Sequence, residues 1–447
     1  MFKPILIGDF LHRIREPATI NPDKLYSLVT VKLHHKGVVL REKKKGSLLG
    51  STMHNISKGQ FILSGIDARN GAFGVVPDEL DGAIITNDFW CFDVDESKVK
   101  RDFFFWLTNT PAFLEACEKS SKGETQRIRL QKDLFYNFEF HFPPVEKQEL
   151  FLGSLQKTSN ALESLNKELS TQSEKLALLR QSILQEAIEG QLTAEWRKKN
   201  PVRKGNPEYD AAALLEKIKA EKQKMIEEGK IRKEKPLAPI KDEEKPFELP
   251  EGWVWCRLGN WGFTQTGSTP STTIKEYFGK YIPFVKPADI NNKFIGYCNE
   301  GLSKKGIEVG RLIAKGSILM VCIGGSIGKS YYTDRDVSCN QQINSITPLS
   351  GISASFLLNF MQSKHFQFEV ADRAMKSSTP IINKGKWEEI PLPLPPLAEQ
   401  SAIVSHVGRL LAMVSDLEKQ VSGRKQQAED LMQAVLREAF EGGKTTV

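Results

Sequence analysis

Residues 143–190 and 395–442 superimpose without a gap at a separation of 252 positions and are identical at 13 of 48. The matches include Pro143/Pro395, Gln148/Gln400, Leu165/Leu417 and Lys167/Lys419, and "QSILQEAIEG" (181–190) against "QAVLREAFEG" (433–442). Loops accumulate insertions, so an ungapped match of this length points to a rigid element. Leu155, Leu162, Leu169, Leu176 and Ile183 recur every seven residues, with Phe151, Thr158, Leu165, Gln172 and Leu179 as companions. The second copy offers Val407, Val414, Val421, Ala428 and Val435, with Ile403, Leu410, Leu417, Arg424 and Leu431. Such a heptad pattern predicts two long helices joined along an apolar seam. Both seams carry a polar interruption at the same place, Gln172 and Arg424, a device that fixes register. The proline runs "HFPPVEKQELFL" (141–152) and "PLPLPPLAEQSAIV" (391–404) end the preceding structure and admit a helix only after them. Gly190 and Gly442-Gly443 stand where helix C-termini favour glycine.

The segments before the helices match loosely. "KGQFILS" (58–64) parallels "KGSILMV" (315–321), "NGAFG" (70–74) parallels "GGSIG" (324–328), and "FFFWLTN" (103–109) parallels "SFLLNFM" (355–361), at offsets of 257, 254 and 252. Short β-rich runs with glycine turns, then a helical stretch, predict an α+β frame used twice. The expected organisation is a first domain over 1–142, a helix over 143–190, and a charged connector over 191–250 with one helix near 208–228. A second domain over 251–394 and a helix with tail over 395–447 complete it.

Composition narrows the function classes. The 447 residues suffice for about three ordinary units. No apolar run is long enough to span a bilayer, and "MFKPILIGDFLHR" lacks secretory features, so a cytoplasmic protein is expected. Six cysteines without a C-x-x-C pair predict reduced thiols, and no metal-ligand spacing is found. A net charge of +7 permits a polyanionic partner.

The chain resembles the DNA-specificity subunits of type I restriction–modification enzymes. The carriers are "LPEGWVWCRLG" (249–259), "GSTPSTTIKEYFGKYIPFVKPADI" (267–290), "VSCNQQINSI" (337–346) and the second proline run. In the first half they are "YSLVTVKLHHKGVVL" (26–40) and "FILSGIDARNGAFGVVPDELDGAIITNDF" (61–89). The resemblance implies two similar α/β target-recognition domains and two long helices pairing as an antiparallel coiled coil, an internal repeat with pseudo-two-fold symmetry. It implies a non-catalytic subunit whose domains each read one half of a bipartite double-stranded DNA target. The helices would act as a spacer and as a dock for two methylation subunits and, through them, restriction subunits. No cofactor is expected on this chain; the partners would use S-adenosylmethionine, and ATP with Mg²⁺ for restriction.

Polar and cationic side chains are the expected readers. Arg and Lys donate to guanine, Asn and Gln pair with adenine, and further cations neutralise phosphates. The first domain offers Arg41, Lys43, Lys44, Lys45, Ser51, His54, Asn55, Arg69 and Asn70. The second offers Gln265, Thr266, Ser268, Thr269, Lys286, Lys304, Lys305, Lys329, Asn340, Gln341 and Gln342. "GGSIGKS" (324–330) imitates a phosphate-binding loop, but Ile323 stands where that pattern requires glycine, so a turn between strands is expected. "NPEY" (206–209) is one residue from an adenine-methyltransferase motif but sits in the connector. An alternative function, a stand-alone DNA nuclease, would use Asp78, Glu96 and Lys98.

Overall fold

The computed structural model describes residues 2–50, 52–123, 128–374 and 379–441. The chain divides into two compact units, residues 1–171 with 421–447, and residues 172–420.

Each unit contains the same frame. In the first, β1 (Leu11–Ile14), β2 (Phe61–Ser64), β3 (Phe73–Val75) and β4 (Phe89–Val94) form a sheet in the order β1-β4-β2-β3. In the second, β5 (Gly262–Thr266), β6 (Ile318–Val321), β7 (Ser330–Tyr332) and β8 (Ile343–Pro348) repeat it as β5-β8-β6-β7. A short antiparallel ribbon closes each frame, Lys3–Leu6 on Glu139–Phe142 and Val254–Arg257 on Pro391–Leu394. The hairpin register corrects one sequence alignment. Phe61 pairs with Val75 and Ile318 with Tyr332, so the 257-residue offset runs through both strands of the hairpin. "NGAFG" and "GGSIG" are therefore not equivalent; the offset falls to 254 only at the next strand, where Phe92 and Ile346 face Phe61 and Ile318.

Large rings fill equivalent core positions. Phe10, Phe103 and Phe135 are fully buried in the first unit, and Trp261, Phe356 and Trp387 in the second. Removing such rings from water is the main stabilising term of a domain core. Five of the six cysteines are buried, and burial pushes the Cys91, Cys256, Cys322 and Cys339 thiols up to about 12, so they stay protonated.

The long helices are α1 (Val145–Ile188) and α2 (Leu397–Glu441), 44 and 45 residues, each about 66 Å long at 1.5 Å per residue. In the first unit the beginning of α1 packs on the end of α2: Leu155 shares a core with Leu436, Ala439 and Phe440, and Phe440 lies 4.5 Å from Phe103 between ring centres. In the second unit the end of α1 meets the earlier part of α2, with Arg180 3.2 Å from Glu418 and 3.1 Å from Ser415. The pairing is antiparallel.

The heptad positions divide. Leu155, Leu162, Leu169, Leu176 and Ile183 are buried, as are Ile403, Val407, Val414, Val421 and Ala428. Phe151, Thr158, Leu165, Gln172, Leu410 and Val435 are half-buried. The expected companion positions Leu179, Leu417, Leu431 and Arg424 lie outside the seam, the three leucines being 45–51% exposed. On α2 the half-buried companions are Leu411, Glu418, Lys425 and Met432, four residues after each valine or alanine rather than three. At 3.6 residues per turn either neighbour can flank an apolar stripe, and the sequence spacing does not choose between them.

The two repeat identities Gln148 and Gln400 have a common structural role. Gln148 is buried, its Oε1 accepts from the Lys100 amide at 2.8 Å, and its Nε2 donates to the Pro143 carbonyl at 2.9 Å. Gln400 accepts from the Ser353 amide at 3.2 Å and donates to the Pro395 carbonyl at 2.9 Å. Lys100 and Ser353 cap the domain helices Arg101–Thr108 and Ala354–Met361, so each glutamine clasps a long helix to its own domain.

The second unit adds a latch. Gly190 takes a left-handed φ of +75°, and a Cβ there would meet Pro250 at 2.7 Å. Beyond it, Arg197 (2.5 Å), Thr193 (2.7 Å) and Trp253 (2.7 Å) all donate to the buried carboxylate of Glu399. Gly442-Gly443 lie outside the described residues.

Candidate nucleic-acid interface

In the second unit the polar candidates converge. Gly267 lies against Asn340 so closely that a Cβ would fall 2.2 Å from the Asn340 carbonyl oxygen, and the Ser268 amide donates to the Cys339 carbonyl at 2.9 Å. This back-to-back approach brings "TGST" (266–269) onto "CNQQ" (339–342). Thr269 donates to Gln341 at 2.7 Å, Thr266 to Asn344 at 2.8 Å, and Asn340 to Gln342 at 3.1 Å. The Ser268 hydroxyl and the Asn344 amide nitrogen are buried without a hydrogen-bond partner among the described residues. Orphaned polar atoms inside a polar cluster are costly unless a ligand or water completes them. Lys286 adjoins the cluster through Val285, whose carbonyl accepts from the Asn340 amide at 3.2 Å. Gln265 donates to the Leu312 carbonyl at 2.9 Å, and Arg311, a cation not singled out in the sequence, donates to the Thr266 carbonyl.

Lys304 and Lys305 stand apart from this cluster, at the head of the short helix Lys304–Val309. The Lys304 ammonium lies 5.5 Å from the Tyr281 ring centre, and Lys305 is taken up by Glu276 at 2.7 Å. That ion pair holds the exposed Lys305 above its usual pKa. Lys329 is exposed in the turn joining β6 to β7, where Gly324 and Gly328 take left-handed φ values of +71° and +85°. The phosphate-loop imitation is thus a glycine turn.

In the first unit the candidates distribute over an additional sheet of five strands. Its order is Glu16–Pro17, His54–Asn55, Ile84–Ile85, Leu25–Val31, Val38–Lys45. "REKKK" (41–45) is therefore the end of an edge strand. The ladder pairs Leu28 with Glu42 and Val29 with Leu40, leaving Arg41 as the extra residue of a bulge, a feature that re-aims side chains. Arg41 and Lys44 line a cavity of about 190 Å³ with Met53 and Thr86, while Lys43 and Lys45 are exposed. His54 meets Asn87 through Nε2 at 2.8 Å, and its Nδ1 is buried without a partner among the described residues. Asn55 pairs in the ladder with Glu16 and Ile84. Ser51 lies outside the described residues.

Arg69 and Asn70 sit in a 3₁₀ turn against the tip of the hairpin joining the last two strands. The His34 amide donates to the Asn70 carbonyl at 2.9 Å and the His35 amide to Gly71 at 3.0 Å. His34 and His35 hold left-handed φ values of 59° and 56°, uncommon for residues with a Cβ. Burial and the neighbouring His34 lower the His35 pKa. The only sequence hint of this tip was the "HHKG" run between two β-like stretches.

Residues 250–424 match the family described as type I restriction modification DNA specificity domain. The "Type I restriction enzyme EcoAI specificity subunit" of Escherichia coli is 27% identical over 389 residues, 73% of this chain and 62% of that protein. The chain thus spans less than two thirds of that relative's length. Among solved structures, a chain of a type I R-M system, studied for complex assembly and conformational transition, matches over 98% of this chain and 97% of its own. The TM-score is 0.72 and the identity 17%. The HsdS subunit from Thermoanaerobacter tengcongensis matches over 99% and 97%, with a TM-score of 0.56 and 17% identity. The chain has the fold of these two solved structures.

Nothing in the fold supports the nuclease alternative to a specificity subunit. Glu96 pairs with Arg101 at 3.1 Å, Lys98 donates to the Asp9 carbonyl at 2.9 Å, and Asp78 heads an exposed 3₁₀ turn. No group of three or more His, Cys, Asp or Glu able to hold a metal occurs among the described residues. Likewise, no helix of the described residues is long and apolar enough to cross a membrane.

Proposed function

We propose that the chain is the non-catalytic recognition subunit of a type I restriction–modification complex. Each domain reads one half of a bipartite double-stranded DNA target. The observation that carries this reading is one frame built twice, with a different polar surface on each copy. In the second domain, Gln265, Thr266, Ser268, Thr269, Lys286, Lys329, Asn340, Gln341 and Gln342 form or border the reading surface. In the first, Arg41, Lys43, Lys44, Lys45, His54, Asn55, Arg69 and Asn70 contribute. Lys304 and Lys305 would serve as phosphate contacts at most, since positioning rather than base reading is the role of isolated cations.

The long helices would dock the methylation subunits, and through them restriction subunits. Support comes from the apolar side chains they leave in solvent, Leu178, Leu179, Met413 and Leu417 in one unit and Leu150 and Leu431 in the other. Cofactor chemistry, S-adenosylmethionine for methylation and ATP with Mg²⁺ for restriction, belongs to those partners. Footprinting of the complex with its methylation subunits should protect two short blocks separated by an unprotected gap. One contiguous protected block would reject the reading.

A further inference from the structure

The connector contributes a surface that the reading above does not use. After the helix Ala211–Glu227, the chain runs as an extended strap along the second domain, and its residues alternate between anchors and free cations. Ile231 is buried, Glu234 pairs with Lys222 at 2.6 Å, and Leu237 packs beside Gly259. The strap is then locked by Arg257. This guanidinium donates to the Ala238 and Pro239 carbonyls at 3.0 and 2.9 Å and makes a two-pronged pair with Glu244 at 2.7 and 2.9 Å.

Between these anchors Arg232, Lys233 and Lys235 are exposed and form no ion pair among the described residues. They line a cleft of about 730 Å³. Gln265, Thr266, Arg311 and Lys384 also line it. Of the three acidic residues in the cleft, Glu234 is neutralised by Lys222 and Glu388 by Lys384 at 2.7 Å, which leaves Glu389 against Arg232, Lys233, Lys235 and Arg311. The cleft is therefore cationic, and it is continuous with the polar cluster through Gln265, Thr266 and Arg311.

We propose that this strap is a clamp for the phosphodiester backbone of the DNA duplex read by the second domain. The inference rests on the DNA-recognition reading and extends it to a segment outside both recognition domains. From Arg232 to Lys235 an extended chain advances about 10 Å. One DNA strand rises the same distance over about three nucleotides at ~3.4 Å each. Flexible, exposed cations of this kind neutralise phosphates without reading bases, so the strap sets affinity and leaves the recognised sequence unchanged.

The test uses the purified full chain and a fluorescent 40-base-pair duplex of random sequence, titrated across salt concentrations. Arg232→Gln, Lys233→Gln and Lys235→Gln together should flatten the slope of log affinity against log salt by about 2.7, from ~0.9 per phosphate contact. Arg232→Lys, Lys233→Arg and Lys235→Arg together should keep the wild-type slope. An unchanged slope in the glutamine variant, with salt-dependent binding by the wild type, would overturn the clamp and leave DNA recognition standing. Loss of slope in the charge-preserving variant would also overturn it. A wild-type chain with no salt-dependent duplex binding would remove both readings. In host cells carrying the glutamine variant the methylated motif should stay the same; a changed motif would make these residues base readers and reject the proposal.

Discussion

Between Ile14 and Phe61 the first domain builds most of a five-stranded sheet, with a strained histidine tip and a bulged cationic edge. Between Thr266 and Ile318 the second domain builds short turns and two-residue strands, and its polar groups gather where two loops meet back to back. The four-stranded frame around these insertions keeps the same strand order in both. A frame fixed by large buried rings tolerates any insertion whose own backbone hydrogen bonds are satisfied. The insertions are therefore free to diverge, and their divergence lets one architecture present two different surfaces.

The comparison can be broken most forcefully at the latch, which among the described residues is found in the second unit alone. Glu399→Ala leaves Arg197 and the Trp253 indole nitrogen without their acceptor, and loss of one partner from a buried ion pair costs about 3–5 kcal/mol. Lys147 occupies the equivalent place in the first copy, and Lys147→Ala should cost less than about 0.5 kcal/mol. Denaturant unfolding of the two variants should show this asymmetry, and equal effects would contradict it. The clasp should behave in the opposite way. Gln148→Ala and Gln400→Ala each strand a buried amide and carbonyl at about 1–3 kcal/mol, so the two losses should be alike. A large difference would mean the glutamines are not equivalent.

The smallest expected effect is a response to acid confined to the second unit. Hydrogen bonding from Arg257 holds the Glu244 carboxyl at about 2, below its ordinary 4.5. Because the folded-state value is depressed, the strap's attachment is at full strength above pH 4.5 and weakens as pH falls toward 2. Pepsin digestion across that window should increasingly cut residues 230–245, whereas Glu244→Gln should be cut with little dependence on pH. Uniform cleavage of wild type and variant would exclude Glu244 as the lock.

Particular residues show how far the sequence was legible. The 252-residue repeat revealed Gln148 and Gln400 as a matched pair, but their clasp needed Lys100 and Ser353, which lie in the preceding segments. "REKKK" read as a charged run, and its strand character came from pairing with Leu25–Val31, a partner that its own residues do not specify. The run "GKIRKEKP" read as connector because its exposed cations mask the spaced anchors Ile231, Glu234 and Leu237. Arg311 had no neighbouring motif at all and became visible only beside Thr266.

Periodicity and duplication by themselves determined that two long helices exist, that each starts after a proline run, and that each follows a copy of one frame. These are local properties, set by helix repeat, proline stereochemistry and apolar spacing. Which flank of the stripe became buried, which loops met to form a polar surface, and where the connector came to rest were decided by tertiary structure. Each depends on contacts between residues far apart in the chain, and side-chain spacing carries no information about a distant partner.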